Sequence, residues 1–173
     1  IKGLAEAGAP VVFHGFTDGR DVLPHDAQSS LPYFLSQLPK NAALGSLTGR
    51  YFGMDRDQRW DRTQNAYDAI ALGQAKFHAD DGFRALRAGY ARGETDEFLR
   101  ATIVGGYTGM RDGDGLVMMN FRADRVRQIL DCLYRPETTC CKTKPIALGL
   151  ALGMTSYSSS LDEFVTPLYP PVE

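Results

Sequence analysis

The chain has 173 residues, 43% hydrophobic and 23% charged, which are globular values with length enough for a core. A formal net charge of −2 argues against a dedicated nucleic-acid binder, and no apolar run reaches the ~18 residues of a membrane span. Arginine supplies fourteen of the nineteen basic residues, an imbalance that the rest of the reading turns on.

Ile1 to Gly8 reads as the end of a helix entered partway, and Ala9 to His14 as a short buried strand after a glycine stop. Residues 15–24 form a polar, glycine-bearing loop. Asp26 is expected to cap a helix running to about Leu38, with Leu31, Phe34, Leu35 and Leu38 inward and Pro32 disturbing its first turns. Ala42 to Thr48 reads as a second strand. Asp61 to about Gly73 is a helix with Ala66, Tyr67, Ile70 and Ala71 inward, and Asp80 to Arg92 another with Phe83, Leu86 and Tyr90 inward. A turn at residues 93–97 precedes a short strand, Ala101 to Val104, and Arg111 to Gly115 is a tight turn. Leu116 to Asn120 reads as a buried strand and Phe121 to Tyr134 as a helix burying Val126, Ile129, Leu130 and Leu133. Pro145 to Met154 is the last, fully apolar strand. This alternation predicts an α/β fold: a mixed, largely buried sheet with helices on both faces. The packed unit is expected over residues 1–154, with 155–173 an extended linker, and the whole looks like a piece of a larger protein.

Three polar loops follow strands, where binding groups collect in such folds. The densest is Gly49 to Arg62, with four arginines, three aspartates and no lysine or glutamate in fourteen residues. Arginine grips a carboxylate or phosphate through two parallel hydrogen bonds, which lysine cannot. The aspartates either hold those forks at fixed angles or simply neutralise them. The first loop carries His14-Gly15-Phe16-Thr17-Asp18-Gly19-Arg20-Asp21, with an Arg-Asp pair at its tip; His14 is expected to be a hydrogen-bonded core histidine. In the third loop Asn120 is read as an N-cap placing Arg122 and Arg125 in a helix's first turn. Two cations there oppose the helix dipole unless an anion joins them or Asp124 neutralises them. Asp112 and Asp114 lack the remaining ligands of a calcium loop. His14, His25 and His78 show no metal-ligand spacing. Cys132, Cys140 and Cys141, odd in number and without zinc-finger spacing, are expected to be free thiols of a reducing cytosol. Walker, dinucleotide and nucleophile-elbow motifs do not occur.

The stretches His14–Asp21, Gly49–Arg62 and Asn120–Arg125, together with Tyr90–Phe98, resemble cofactor-independent phosphoglycerate mutases along essentially the whole chain. The resemblance is to that family's inserted substrate-binding domain. It implies an enzyme interconverting 3-phosphoglycerate and 2-phosphoglycerate in glycolysis, through a phosphoserine on a second, alkaline-phosphatase-like domain that holds two manganese ions. By motif match the substrate contacts would be Arg20, Asp21, Arg50, Arg56, Arg122 and Arg125, with Asp21 a candidate acid–base group. The family's serine nucleophile, its metal ligands, one substrate-binding histidine and one lysine match nothing here. The chain by itself is therefore expected to be inactive and metal-free, part of a cytoplasmic, monomeric parent that binds neither nucleic acid nor membrane. The rival reading is a non-catalytic anion-binding or interaction module whose Arg/Asp clusters only pair with each other.

Overall fold

A computed structural model describes residues 2–169; Ile1 and the final residues 170–173 of the expected linker lie outside the described residues. After a short helix α1 (Lys2–Glu6) come β1 (Val11–Thr17), α2 (Ala27–Ser36), β2 (Ala42–Gly49) and the single turn α3 (Arg50–Gly53). Then follow α4 (Trp60–Tyr67), a π-helical turn (Asp68–Leu72), β3 (Phe77–Ala79), α5 (Gly82–Ala91) and β4 (Thr102–Val104). The remainder holds β5 (Leu116–Met118), a 3-10 turn (Ala123–Arg125), α6 (Arg127–Tyr134), a second 3-10 turn (Pro136–Thr138), β6 (Ala151–Gly153) and β7 (Thr166–Pro167).

The class is α/β, as the alternation predicts, but the strands divide between two sheets. The larger is mixed, in the order β1-β2-β4-β3, with β1 and β2 parallel; the smaller is parallel, in the order β5-β6-β7. Helices cover both faces of the larger sheet. On one side α2 and α5 set Ala27, Leu31, Ala85 and Leu86 against Leu44 and Leu47; on the other, Ala69 of the π turn meets Ala101 and Ile103. A third cluster joins α4, α6 and the smaller sheet through Ala66, Tyr67, Val126, Ile129, Leu130 and Ala151.

Several expected elements come out differently, each for a local reason. Asp26 makes no side-chain cap to α2; Asp96, from the turn after α5, accepts the Ala27 N–H instead at 2.8 Å. The helix expected over 61–73 changes to π geometry at Asp68 and stops at Gly73, whose φ is 62°. Three-residue β3 falls between two expected helices in a stretch given no element, because so short a strand shows no periodicity. Phe83, expected inward, is 43% exposed because α5 turns its small residues Gly82, Ala85 and Gly89 to the sheet. Leu116–Asn120 is no buried strand: only Leu116–Met118 is extended, as the edge strand β5, and Val117 within it and Met119 just after it are exposed. The long apolar strand shrinks to Ala151–Gly153, and residues 155–169 are no mere linker. Tyr157, Leu161 and Val165 are each 1% exposed in the third cluster, so the packed unit continues past residue 154. No helix among the described residues is long and apolar enough to cross a membrane.

Candidate anion-binding site

The site begins at the C-terminal ends of two neighbouring parallel strands. Register pairs Thr17 with Gly49, so the loop after β1 and the arginine at the end of β2 emerge side by side. Asp18 organises the first loop: its Oδ1 accepts the backbone N–H groups of Arg20 and Asp21, each at 3.1 Å, around Gly19, whose φ of 64° suits glycine. The same oxygen accepts from Arg50 Nη1 at 2.6 Å, and Asp21 Oδ2 from that nitrogen at 2.9 Å. Arg50 is buried, its side chain 5% exposed, so these two carboxylates are what makes its charge tolerable there.

The third loop closes onto this pair. Arg122 Nη1 donates to Asp21 Oδ2 at 2.7 Å, so one oxygen serves arginines from two loops. The helix geometry expected here is replaced. Asn120 Oδ1 accepts the Arg122 N–H at 2.9 Å in a turn, Ala123–Arg125 is a 3-10 turn, and α6 begins only at Arg127. The reason is hydrophobic: Phe121 is 72% exposed, and the buried stripe that drives the helix starts at Val126. Arg122 and Arg125 therefore precede the α-helix and are held by the turn. The Tyr157 hydroxyl fixes that turn, donating to the Asn120 carbonyl at 2.8 Å.

Of the remaining sequence-predicted residues, Arg20 pairs with Glu97 at 3.2 Å, and Arg56 with Asp124 of the third loop. For Arg125 the carboxylate of Asp124 lies 3.9 Å away. Arg20, Arg50 and Arg125 line one cleft of about 300 Å³, and Arg59 and Arg62 line it with them. Arg62 sits over the Tyr51 ring, its guanidinium carbon 3.7 Å from the centroid. Against these five arginines the cleft walls carry three acids, Asp55, Asp57 and Glu97, which leaves it positive. Arg56 and Arg122 stand outside its wall, tied to it through Asp124 and Asp21.

Sequence reasoning missed Asp18 and Glu97 as partners of the arginines. Asp18 was legible in principle, since an aspartate two and three residues before polar N–H groups in a Gly-bearing loop is an Asx turn. Glu97 is adjacent only in space. The hydrogen bonds from Arg50, then Arg122, hold the Asp21 carboxyl down at about 2, the reverse of a group poised to exchange protons near neutrality. The hydrogen bond from Arg56 likewise holds Asp124 below the ordinary carboxylate range. His14 is hydrogen-bonded as expected, its Nδ1 2.8 Å from Ser46 Oγ, but it is partly rather than fully buried; desolvation there lowers it to about 4. All three cysteines are free thiols. Among the described residues no group of three or more His, Cys, Asp or Glu is placed to hold a metal ion.

Comparison with known proteins gives this geometry a context. The family model described as BPG-independent PGAM N-terminus matches residues 1–159. A 2,3-bisphosphoglycerate-independent phosphoglycerate mutase of Dinoroseobacter shibae is 44% identical over 170 residues, covering 98% of this chain and 34% of that protein. One from Cereibacter sphaeroides is 46% identical over 172 residues, with the same coverage of 98% and 34%. The crystal structure of Leishmania mexicana phosphoglycerate mutase, determined at low cobalt concentration, superposes with a TM-score of 0.79 at 26% identity. It is covered to 34% of its length by 98% of this chain. The chain thus spans about a third of the length of the relatives it matches.

Proposed function

We propose that this chain, which belongs to the family of BPG-independent phosphoglycerate mutases, is the part of such an enzyme that grips the phosphoglycerate while the rest supplies the phosphoryl chemistry. The observation that carries the reading is the Asp21 bridge between Arg50 and Arg122 beside an arginine-lined cleft. Phosphoglycerate brings a carboxylate and a phosphate of about −1.5 to −2 charge, and several pre-oriented forks are what such a ligand needs.

In this reading Arg20, Arg50, Arg56, Arg122 and Arg125 bind the two anionic groups, and Asp21 gives up Arg122, its exposed partner, as the substrate arrives. Losing that hydrogen bond raises its proton affinity, so Asp21 becomes better able to exchange a proton with the substrate hydroxyl in the complex. Substrate-free, it is a counter-ion. The manganese ions implied for the parent would supply Lewis acidity at the phosphoryl group, and the described residues offer them no site. The serine nucleophile belongs with them, in a phosphatase-like domain. The parent is read as a cytoplasmic, monomeric enzyme of glycolysis and gluconeogenesis.

The rival, a non-catalytic module whose charges only pair internally, is favoured by one fact: Arg20, Arg50, Arg56 and Arg122 each already face a carboxylate. Phosphorus NMR on the full-length parent separates the two. Conversion of 3-phosphoglycerate to 2-phosphoglycerate is expected, with loss of at least ~100-fold in rate for Arg50→Gln, a buried charge-assisted contact. This chain alone, given the same substrate and manganese, is expected to convert none. An inactive parent supports the module; turnover by this chain alone overturns the division of labour.

A further inference from the structure

The loop that carries Arg56 and Arg59 is held in a conformation its own sequence does not favour. Gln58 has φ of 57°, the left-handed region that residues with a Cβ rarely adopt. Such a residue stays there only when its surroundings hold it. What holds it is Gln128, in the first turn of α6 and 7% exposed. Gln128 Oε1 accepts the Gln58 N–H at 2.7 Å, while its Nε2 donates to Asp55 Oδ2 at 3.0 Å and to Thr63 Oγ1 at 2.9 Å. Asp55, 7% exposed, completes the knot: the same Oδ2 accepts the N–H groups of Asp57 and Arg59, each at 3.0 Å. Its Oδ1 faces Arg62 Nη1 at 3.4 Å.

Both amide protons and the oxygen of Gln128 are thereby used, a pattern that only a side chain with donor and acceptor at one end can satisfy. Gln128 sits three residues beyond Arg125. The amide therefore ties the loop bearing Arg56 and Arg59 to the segment bearing Arg122 and Arg125, two stretches far apart in the chain. The Arg56–Asp124 pair spans the same gap at the surface, but at about half exposure it is a weak fastener. The buried one sets the register.

We propose that Gln128, with Asp55, is a positioning residue for anion binding: it fixes the second arginine loop relative to the third, so that their guanidinium groups converge before a ligand arrives. The proposal rests on the substrate reading above. Neither side chain is required to touch the ligand. Pre-set forks spare the ligand the cost of ordering them, so losing the clasp weakens binding more than it slows the chemical step.

A double-mutant cycle in the full-length enzyme tests this. Gln128→Met keeps the volume and removes every hydrogen bond; KM for 3-phosphoglycerate is expected to rise roughly 10-fold, with kcat changed by less than about twofold. In an Arg56→Ala background, whose own KM is raised, the same change is expected to move KM less than about twofold, because Arg56 is the one substrate-binding fork that this loop carries in the reading above. Fully additive effects, or no KM change on Gln128→Met alone, overturn the clasp. If Arg56→Ala leaves KM unaltered, the substrate reading fails and takes the clasp's role with it. Thermal melts accompany each variant. Should Gln128→Met not fold, Asp55→Asn, which preserves shape, enters the same cycle with the same expected pattern.

Discussion

Asp21 accepts a 2.7 Å hydrogen bond from Arg122, a residue 101 positions later in the chain. The oxygen involved is the one that also accepts from Arg50 at 2.9 Å, so the site without ligand is closed by its own counter-ion. An incoming anion has to compete with that carboxylate. The two arginines differ in how easily they can be won: the Arg50 side chain is 5% exposed and has Asp18 as a second partner, whereas Arg122 is 45% exposed with Asp21 its carboxylate. Arg122 is the partner able to change hands.

Arg122→Lys in the full-length enzyme keeps the charge but loses the fork. Its kcat/KM should fall at least ~10-fold, the loss of a charge-assisted hydrogen bond of ~1.5 kcal/mol. Arg127 is the control, since its Nε donates to the Tyr157 carbonyl at 2.6 Å and fastens the segment that packs under the third loop. Arg127→Lys should lower the melting temperature without a comparable loss of kcat/KM. Equal losses of kcat/KM at both positions would mean that surface charge in general, not the fork at Arg122, is what counts.

The titration of Asp21 gives a second handle. Its folded-state value, about 2, lies below the ordinary 3.8, held there by Arg50 first and Arg122 next. A depressed carboxylate contributes stability that is fully present above 3.8 and disappears as pH falls to about 2. The stability difference between wild type and Asp21→Asn should therefore be flat near neutrality and close within that acid window. Saturating phosphoglycerate should raise the value by drawing Arg122 away. Carboxyl carbon NMR of Asp21 with and without the ligand measures it, and an unchanged value in the complex would show that the substrate does not displace this aspartate.

What the sequence discloses about this site follows from the range of the interactions that build it. The arginine cluster was legible because its composition is unusual wherever it folds: four forks without one lysine in Gly49–Arg62 stand out in any architecture. The α/β class was legible because helical and extended periodicities alternate. Local partners could be read only where they lie within a few residues, as with Asp18 and the N–H groups of Arg20 and Asp21. Glu97 with Arg20, Asp96 with Ala27, and Gln128 with Gln58 join positions about seventy or more apart, and no spacing rule reaches that far. Asn120 misled for the opposite reason. An N-cap and an Asx turn begin with the same residue types, and burial of Val126 and Ile129, not the cap, decided where α6 starts.

His14 predicts a pH dependence of the fold itself. Burial lowers it from 6.5 to about 4, so the folded state takes its proton far later than the unfolded chain. Stability is then lost as pH drops from 6.5 towards 4, by about 2 kcal/mol at pH 5 on the 1.36 kcal/mol carried by each pH unit. Urea melts of this chain at pH 7.5 and pH 5 should differ by that order, and His14→Gln should shrink the difference. A His14→Gln protein with the wild-type pH slope would place the loss elsewhere.

Gly49 carries the last prediction, because its role is space rather than backbone freedom. With φ of −67° and ψ of 146° it sits in ordinary extended geometry that any residue adopts. A Cβ there would collide with the Glu97 carbonyl oxygen and come within 2.6 Å of the Leu99 nitrogen and 2.7 Å of the Asp96 carbonyl oxygen. All three are main-chain atoms that cannot step aside as a side chain could. The approach is held from both sides, since Gly49 N–H donates to the Leu99 carbonyl at 2.7 Å and Tyr51 N–H to the Glu97 carbonyl at 3.1 Å. Arg50 leaves the strand at this seam, and Glu97, which pairs with Arg20, lies on its other bank. Gly49→Ala must push the two strands of backbone apart, a strain of ~1–3 kcal/mol for an overpacked site, and would move both arginines at once. In this chain the melting temperature should fall by roughly 3–10 °C, and in the full-length enzyme KM for phosphoglycerate should rise. Gly3→Ala, in a helix with no atom near the added methyl, should do neither. A Gly49→Ala protein that melts and binds like wild type would show that this close approach is not what aims Arg50 into the site.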